Sequence, residues 1–175
     1  MTDELQTFVN FWNYEANKTA ALLRTLPAGQ YEFRPDPQAR SLGELSWHLA
    51  ELDAYTTYGI EQGGFQPGVR PPGIERPRSI EALAPGYERV HAEALERVRK
   101  LTPSDLDRKL RHFTGNELSV RELLWGAVLF HMIHHRGQLS ILCRLAGGTV
   151  PELFGPNREE MAVLRARRTE AISTP

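Results

Sequence analysis

An all-α four-helix bundle with long connections is the fold that this sequence predicts. Three observations point to it. Apolar residues recur at i, i+3 and i+4 over four long stretches. Capping boxes open two of those stretches, and no alternating strand pattern or repeat period separates them. A length of 175 residues suits one domain with a substantial core, here about residues 2–148, followed by a C-terminal extension over 149–175.

The first helix runs from about Thr2 to Leu26, with Leu5, Phe8, Val9, Trp12, Ala16, Ala20 and Leu23 on its apolar face. Thr2 is its expected cap, and Pro27 and Gly29 end it. Pro35 and Pro37 hold the next connection extended. Ser41-Leu42-Gly43-Glu44 is a capping box, opening a helix that continues to about Glu61 and stops at Gly63-Gly64. Leu45, His48, Leu49, Leu52 and Tyr55 share its apolar stripe. From Gln62 to Arg78 the chain is rich in Pro and Gly, too long for a tight turn, and is expected to cross the bundle or form a lid. A third helix is expected from a Ser79 cap to about Leu101, interrupted early by Pro85-Gly86. Its charges, from Glu88 to Lys100, read as a solvated face. Thr102-Pro103-Ser104 and Thr114-Gly115-Asn116 bracket a short polar segment. Ser119-Val120-Arg121-Glu122 then opens the longest helix, which ends at Gly147-Gly148. Its expected buried stripe is Leu124, Ala127, Val128, His131, His135 and Leu139. A final basic helix is expected over about 157–171.

Composition excludes some functions. Twenty-one basic and 22 acidic residues leave a formal charge of -1, which gives no electrostatic case for nucleic acid or an anionic membrane. Nucleic-acid contact through Arg70, Arg76, Arg78 and Arg165-Ala166-Arg167-Arg168 is accordingly the weakest reading. No apolar run approaches the roughly 20 residues of a membrane span, and Asp3 and Glu4 do not fit a signal pattern. Cys143 is the single cysteine, so no intrachain disulfide forms, and a cytoplasmic, reducing location is expected.

The chemistry concentrates in Phe130-His131-Met132-Ile133-His134-His135-Arg136-Gly137-Gln138. At about 100° per residue, His131 and His135 leave one helical stripe one turn apart, a spacing that can chelate a metal ion. Gln138 lies about 20° from His131 and is a candidate polar wall of a ligand pocket, while His134 departs on another bearing. His48 occupies an inward position on the second helix and supplies a third nitrogen. Two readings stay open on spacing alone. Either His48, His131 and His135 hold one metal with an open position, or they are three unrelated histidines. Glu44 and Glu51 flank His48 as surface carboxylates or as partners orienting its ring, whereas Asp53 is expected to point away. His91 and His112 read as surface residues, and Cys143 as a core thiol.

Two groups of residues, taken together and in order, carry a resemblance. The first is Phe33-Arg34-Pro35, Ala39-Arg40-Ser41-Leu42-Gly43-Glu44 and Trp47-His48-Leu49. The second is His131-Met132-Ile133-His134-His135-Arg136-Gly137-Gln138-Leu139, with Arg144-Leu145-Ala146-Gly147-Gly148, Val150-Pro151 and Gly155-Pro156 after it. Together they resemble the DinB/YfiT-like family of proposed metalloenzymes, over roughly residues 5 to 156. The resemblance implies up-down-down-up connectivity and a divalent metal on His48, His131 and His135, and three nitrogens with water suit Zn, Ni or Fe alike. It also implies homodimers, a link to DNA-damage stress, and activities that include thiol-dependent S-transfer and isomerisation. Phe11, Trp12, Leu129 and Phe130 are the residues expected to offer apolar surface to a second copy. The enzyme reading is therefore a metal-dependent S-transferase or hydrolase acting on a small molecule, with a low-molecular-weight thiol as co-substrate. The competing reading is a non-catalytic metal or small-ligand carrier.

Overall fold

A computed structural model describes residues 3–173 of the chain. Helix α1 spans Glu4–Arg24, α2 Leu42–Glu61 and α3 Leu83–Arg99. A 3-10 turn (Pro103–Asp107) and a hairpin of β1 (Lys109–Arg111) and β2 (Glu117–Ser119) lead into α4. This fourth helix covers 120–145 and is built of an α turn (Val120–Glu122), a π-helical stretch (Leu123–Phe130) and an α-helix (His131–Leu145). Helix α5, Arg158–Ser173, follows a turn region.

Contacts between helix ends set the directions. Glu61 at the end of α2 pairs with Lys100 just past the end of α3 at 3.0 Å, and Trp47 lies against Gly86 near their starts, so α2 and α3 run parallel. Arg24 at the end of α1 pairs with Glu88 near the start of α3, so α1 opposes them. Arg121 and Glu4 meet at 3.0 Å near the starts of α4 and α1, and the Cys143 thiol approaches the Thr25 carbonyl near their ends. The bundle is thus up-down-down-up. Parallel neighbours cannot be joined by a short turn, and the Pro- and Gly-rich segment 62–82 crosses the bundle as a strap. Trp47 donates its indole N–H to the Ile74 carbonyl at 3.1 Å, and the Tyr31 hydroxyl donates to the Pro77 carbonyl at 2.6 Å. The Phe65 ring rests directly on Gly59, where any side chain would collide with it.

Local chemistry explains most boundaries. Thr2 lies outside the described residues, and the Asp3 carboxylate caps α1 by accepting from the Leu5 N–H at 3.1 Å. Ser41–Glu44 and Ser119–Glu122 both form complete capping boxes. Gly147, at φ 87°, adopts the left-handed conformation that ends α4.

Several expectations need correction. Helix α3 starts at Leu83 without a side-chain cap, so Ser79 does not cap it. Pro85 does not interrupt the helix, because it sits in the first turn, where its missing N–H has no intrahelical partner to lose. The polar segment after α3 holds the hairpin, with Leu110 paired to Leu118, whose strands of three residues are too short to show alternation. The π-helical turn widens α4, so the buried side chains after it are Met132, Arg136, Leu139, Leu142 and Cys143, while His131 and His135 are only half-buried. Trp12 and Leu129 are core residues, which leaves Phe11 and Phe130 as the exposed members of the surface expected for a second copy. Among the described residues, no helix is long and apolar enough to cross a membrane.

The core contains two polar knots. Arg136, 1% exposed, donates to the Glu15 carboxylate and, at 2.7 Å, to the Glu15 carbonyl. Asp53 is fully buried and accepts from the Trp12 indole at 3.2 Å and from His91 Nδ1 at 2.8 Å. His91 is therefore a core residue, packed edge-on to Trp12, and not a surface one. Both carboxylates avoid the cost of burial because each meets charge-assisted donors. Replacing Arg136 with Met should lower unfolding free energy by about 3 kcal/mol in urea denaturation, because it removes the buried partner of Glu15 and leaves that carboxylate only Lys18, at 3.6 Å. The double variant Glu15→Gln/Arg136→Met should lose less than Arg136→Met alone, and a larger loss in the double variant would contradict the pairing.

Candidate metal centre

His48 comes from the second turn of α2, and His131 and His135 from α4 directly after the π-helical turn. Their ligand-capable nitrogens all lie within 4.8 Å of one another. His135 Nε2 and His131 Nε2 are 2.8 Å apart, and the His48 ring centroid lies 4.8 Å from that of His135 and 5.8 Å from that of His131. Three nitrogens about 2.1 Å from one tetrahedral ion would sit roughly 3.4 Å apart, which small side-chain adjustments reach from here.

Each ring has its outer edge tied down. His48 Nδ1 donates to Glu51 Oε2 at 3.2 Å, and His135 Nδ1 donates to Gln138 Oε1 at 2.7 Å. His131 is hydrogen-bonded to the backbone of Ala127. An outer N–H donated in this way fixes the tautomer and leaves Nε2 with a lone pair facing inward. Partial burial favours the neutral form as well. Desolvation lowers the His131 pKa, and it lowers that of His135 to about 4, with the neighbouring imidazoles adding to the effect.

Glu51 is the carboxylate that reaches the site. Burial alone would raise its pKa, but the His48 hydrogen bond and the Arg76 charge hold it below the ordinary value. Glu44 is committed elsewhere, closing the Ser41 capping box and pairing with Arg34 and Arg76. Asp53 points away from the site into the core. His134 is exposed, bonds the Gln138 side chain at 3.1 Å and lies edge-on to the His135 ring with centroids 5.0 Å apart. The expected role of Gln138 changes. It is exposed and does not line the large cavity; its carbonyl instead orients His135, because the α-helix returns position 138 beside position 135 on the outer side of the ring.

A cavity of about 600 Å³ opens beside the histidines and is shared by His48, His131 and Glu51. Its other walls come from the outer face of α2, the strap, the hairpin and Ala127 of the π-helical turn. Arg40, at the end of the loop before α2, also lines it. Spacing arguments missed the cavity, since its strap and hairpin walls carry no helical period. His112, expected on the surface, is half-buried there against Phe65, with ring centroids 5.0 Å apart.

The model of the DinB superfamily matches residues 13–139, a span that includes all three histidines. The chain is 28% identical over 163 residues to the uncharacterized protein YrdA of Bacillus subtilis, covering 93% of this chain and 95% of that one. A crystal structure of a DinB-like protein from Bacillus cereus superposes with a TM-score of 0.71 at 26% identity, covering 88% of this chain and all of that one. A DinB-like protein from Bacillus subtilis, YjoA, shares the fold with a TM-score of 0.68 at 24% identity, over 84% of this chain and 96% of its own. With its bundle, its strap and its convergent histidines, this chain belongs to the DinB superfamily.

Proposed function

We propose that this protein is a divalent-metal-dependent enzyme whose metal is held by His48, His131 and His135. One observation carries the reading: three half-buried imidazoles from two helices converge, each with its outer edge engaged and its inner nitrogen turned toward the others. Three protein ligands leave at least one position open, which distinguishes a catalytic site from a closed structural one. When bound there, the ion would lower the pKa of a thiol or water presented to it, which is what a thiol S-transferase or a hydrolase requires. The chain's own residues supply the rest. Glu51 and Gln138 keep His48 and His135 in the donating tautomer, and Arg76, 3.7 Å from Glu51, keeps that carboxylate ionised. The cavity of about 600 Å³ provides room for a substrate, which a purely structural ion does not need.

The carrier reading draws on a different observation. Glu44 and Glu51 are both committed to other partners, so neither is a free general base. Incubating metal-loaded protein with a low-molecular-weight thiol and an electrophilic acceptor separates the two, since the enzyme consumes both and the carrier neither.

Protein purified without a nickel column and analysed for metals should carry close to one divalent ion per chain. His48→Ala and His135→Ala should each lose most of it, and His134→Ala should keep it. Retention in His135→Ala with loss in His134→Ala would exclude this ligand set. Glu51→Ala and Gln138→Leu should bind metal about 10- to 100-fold more weakly, through loss of ring orientation, with ligand number unchanged.

Acid sensitivity follows from the lowered histidine pKa values. The unfolded chain takes up its histidine protons near pH 6.5, whereas folded His135 does so only at about 4. Between these values the unfolded state binds more protons, so stability of the metal-free protein should fall as pH drops through that window and be insensitive to His135 above it. An NMR titration of the His135 ring gives the midpoint directly. A midpoint at the ordinary imidazole value would contradict the burial argument.

A further inference from the structure

We infer that the cavity beside the histidines takes an apolar or aromatic carboxylic acid, its body against the apolar walls and its carboxylate on Arg40. This names the substrate class for the metal site proposed above and rests on that reading for where the ligand's reactive end lies. The side-chain chemistry of the cavity carries the argument. Leu52, Tyr55, Tyr58, Phe65, Val69 and Phe113 contribute to its walls, and its volume of about 600 Å³ accommodates a whole small molecule. Phe113 is 77% exposed and Val69 44%, so an apolar body seated there would cover side chains that now face water.

Charge selects the head group. Arg40 and Glu51 are the two formally charged side chains lining the cavity. Glu51 is already bonded to His48 and faces Arg76. Arg40 makes no ion pair among the described residues, yet its charge acts on both Glu51 and His131. The uncommitted charge in the cavity is therefore a guanidinium, which binds carboxylates through two parallel N–H donors. Arg40 is exposed, so its guanidinium is open to a carboxylate arriving from solvent. A cation would be repelled by Arg40 and by a divalent ion alike. A small polar anion would pair with Arg40 and leave the aromatic walls wet.

The test uses the full metal-loaded chain, 4-phenylbutyrate, its neutral counterpart 4-phenylbutan-1-ol, and glutarate, which has carboxylates but no apolar body. Calorimetric titration should give the tightest binding for phenylbutyrate, about tenfold tighter than for the alcohol. Glutarate should bind more weakly than phenylbutyrate. Arg40→Gln should remove the preference of acid over alcohol and leave metal content unchanged. Ala127→Leu, which intrudes on the cavity, should weaken acid and alcohol together, with thermal melts confirming that both variants fold. Equal affinity for acid and alcohol, or undiminished acid binding in Arg40→Gln, would overturn the inference. Repeating the titrations on chelator-treated protein separates the two readings. If the purified protein holds no metal but the Arg40-dependent preference persists, the metal reading fails and the cavity assignment stands; if metal is present without that preference, the reverse holds.

Discussion

Helices α2 and α3 are neighbours that run in the same direction, and that constraint shapes the molecule. A helix of 20 residues such as α2 is roughly 30 Å long, so the chain leaving its end must travel back along the bundle before α3 can begin. The strap that does so is anchored where its backbone meets side-chain donors from the bundle, at the Ile74 and Pro77 carbonyls. Near its start, Phe65 settles on the bare backbone of Gly59. The same crossing stands away from the outer face of α2 and encloses the cavity between them. Topology and site are thus one consequence of a single parallel pairing.

Within this frame the two faces of the bundle interior do different work. On one side, Arg136 with Glu15, and Asp53 with Trp12 and His91, are sealed in the core and bonded to one another, which fixes how the helices pack. On the other, His48, His131 and His135 are only half-buried and present their inner nitrogens to a solvent-connected space. The π-helical turn before His131 is the device that separates the faces along α4. By taking in more residues per turn it moves Met132 and Arg136 into the core and leaves His131 and His135 at its edge.

The electrostatics of the site follow from that half-burial. Desolvation favours neutral His131 and His135, and the bonded outer edges of His48 and His135 leave Nε2 facing inward. Arg76 and Arg40 contribute differently despite their proximity. Arg76 is consumed in holding Glu44 and Glu51 in place, whereas Arg40 retains a charge that can act on something from outside the chain.

The helical bundle, its capping boxes and the three histidines were legible in the sequence because they depend on short-range periodicity. The i, i+4 spacing of His131 and His135, the serine-to-glutamate boxes and the glycines after α2 and α4 all act within a turn or two of helix. What tertiary structure decided is everything that depends on which surfaces meet. The sequence places His91 on a charged helix, and only packing against Asp53 and Trp12 puts it in the core. Gln138 shares the ligand stripe by angle, but the half-burial of that stripe turns it into a support for His135. The cavity depends on the return path of the strap and on where Arg40 and Phe113 are left by it, and no local pattern encodes a path through space.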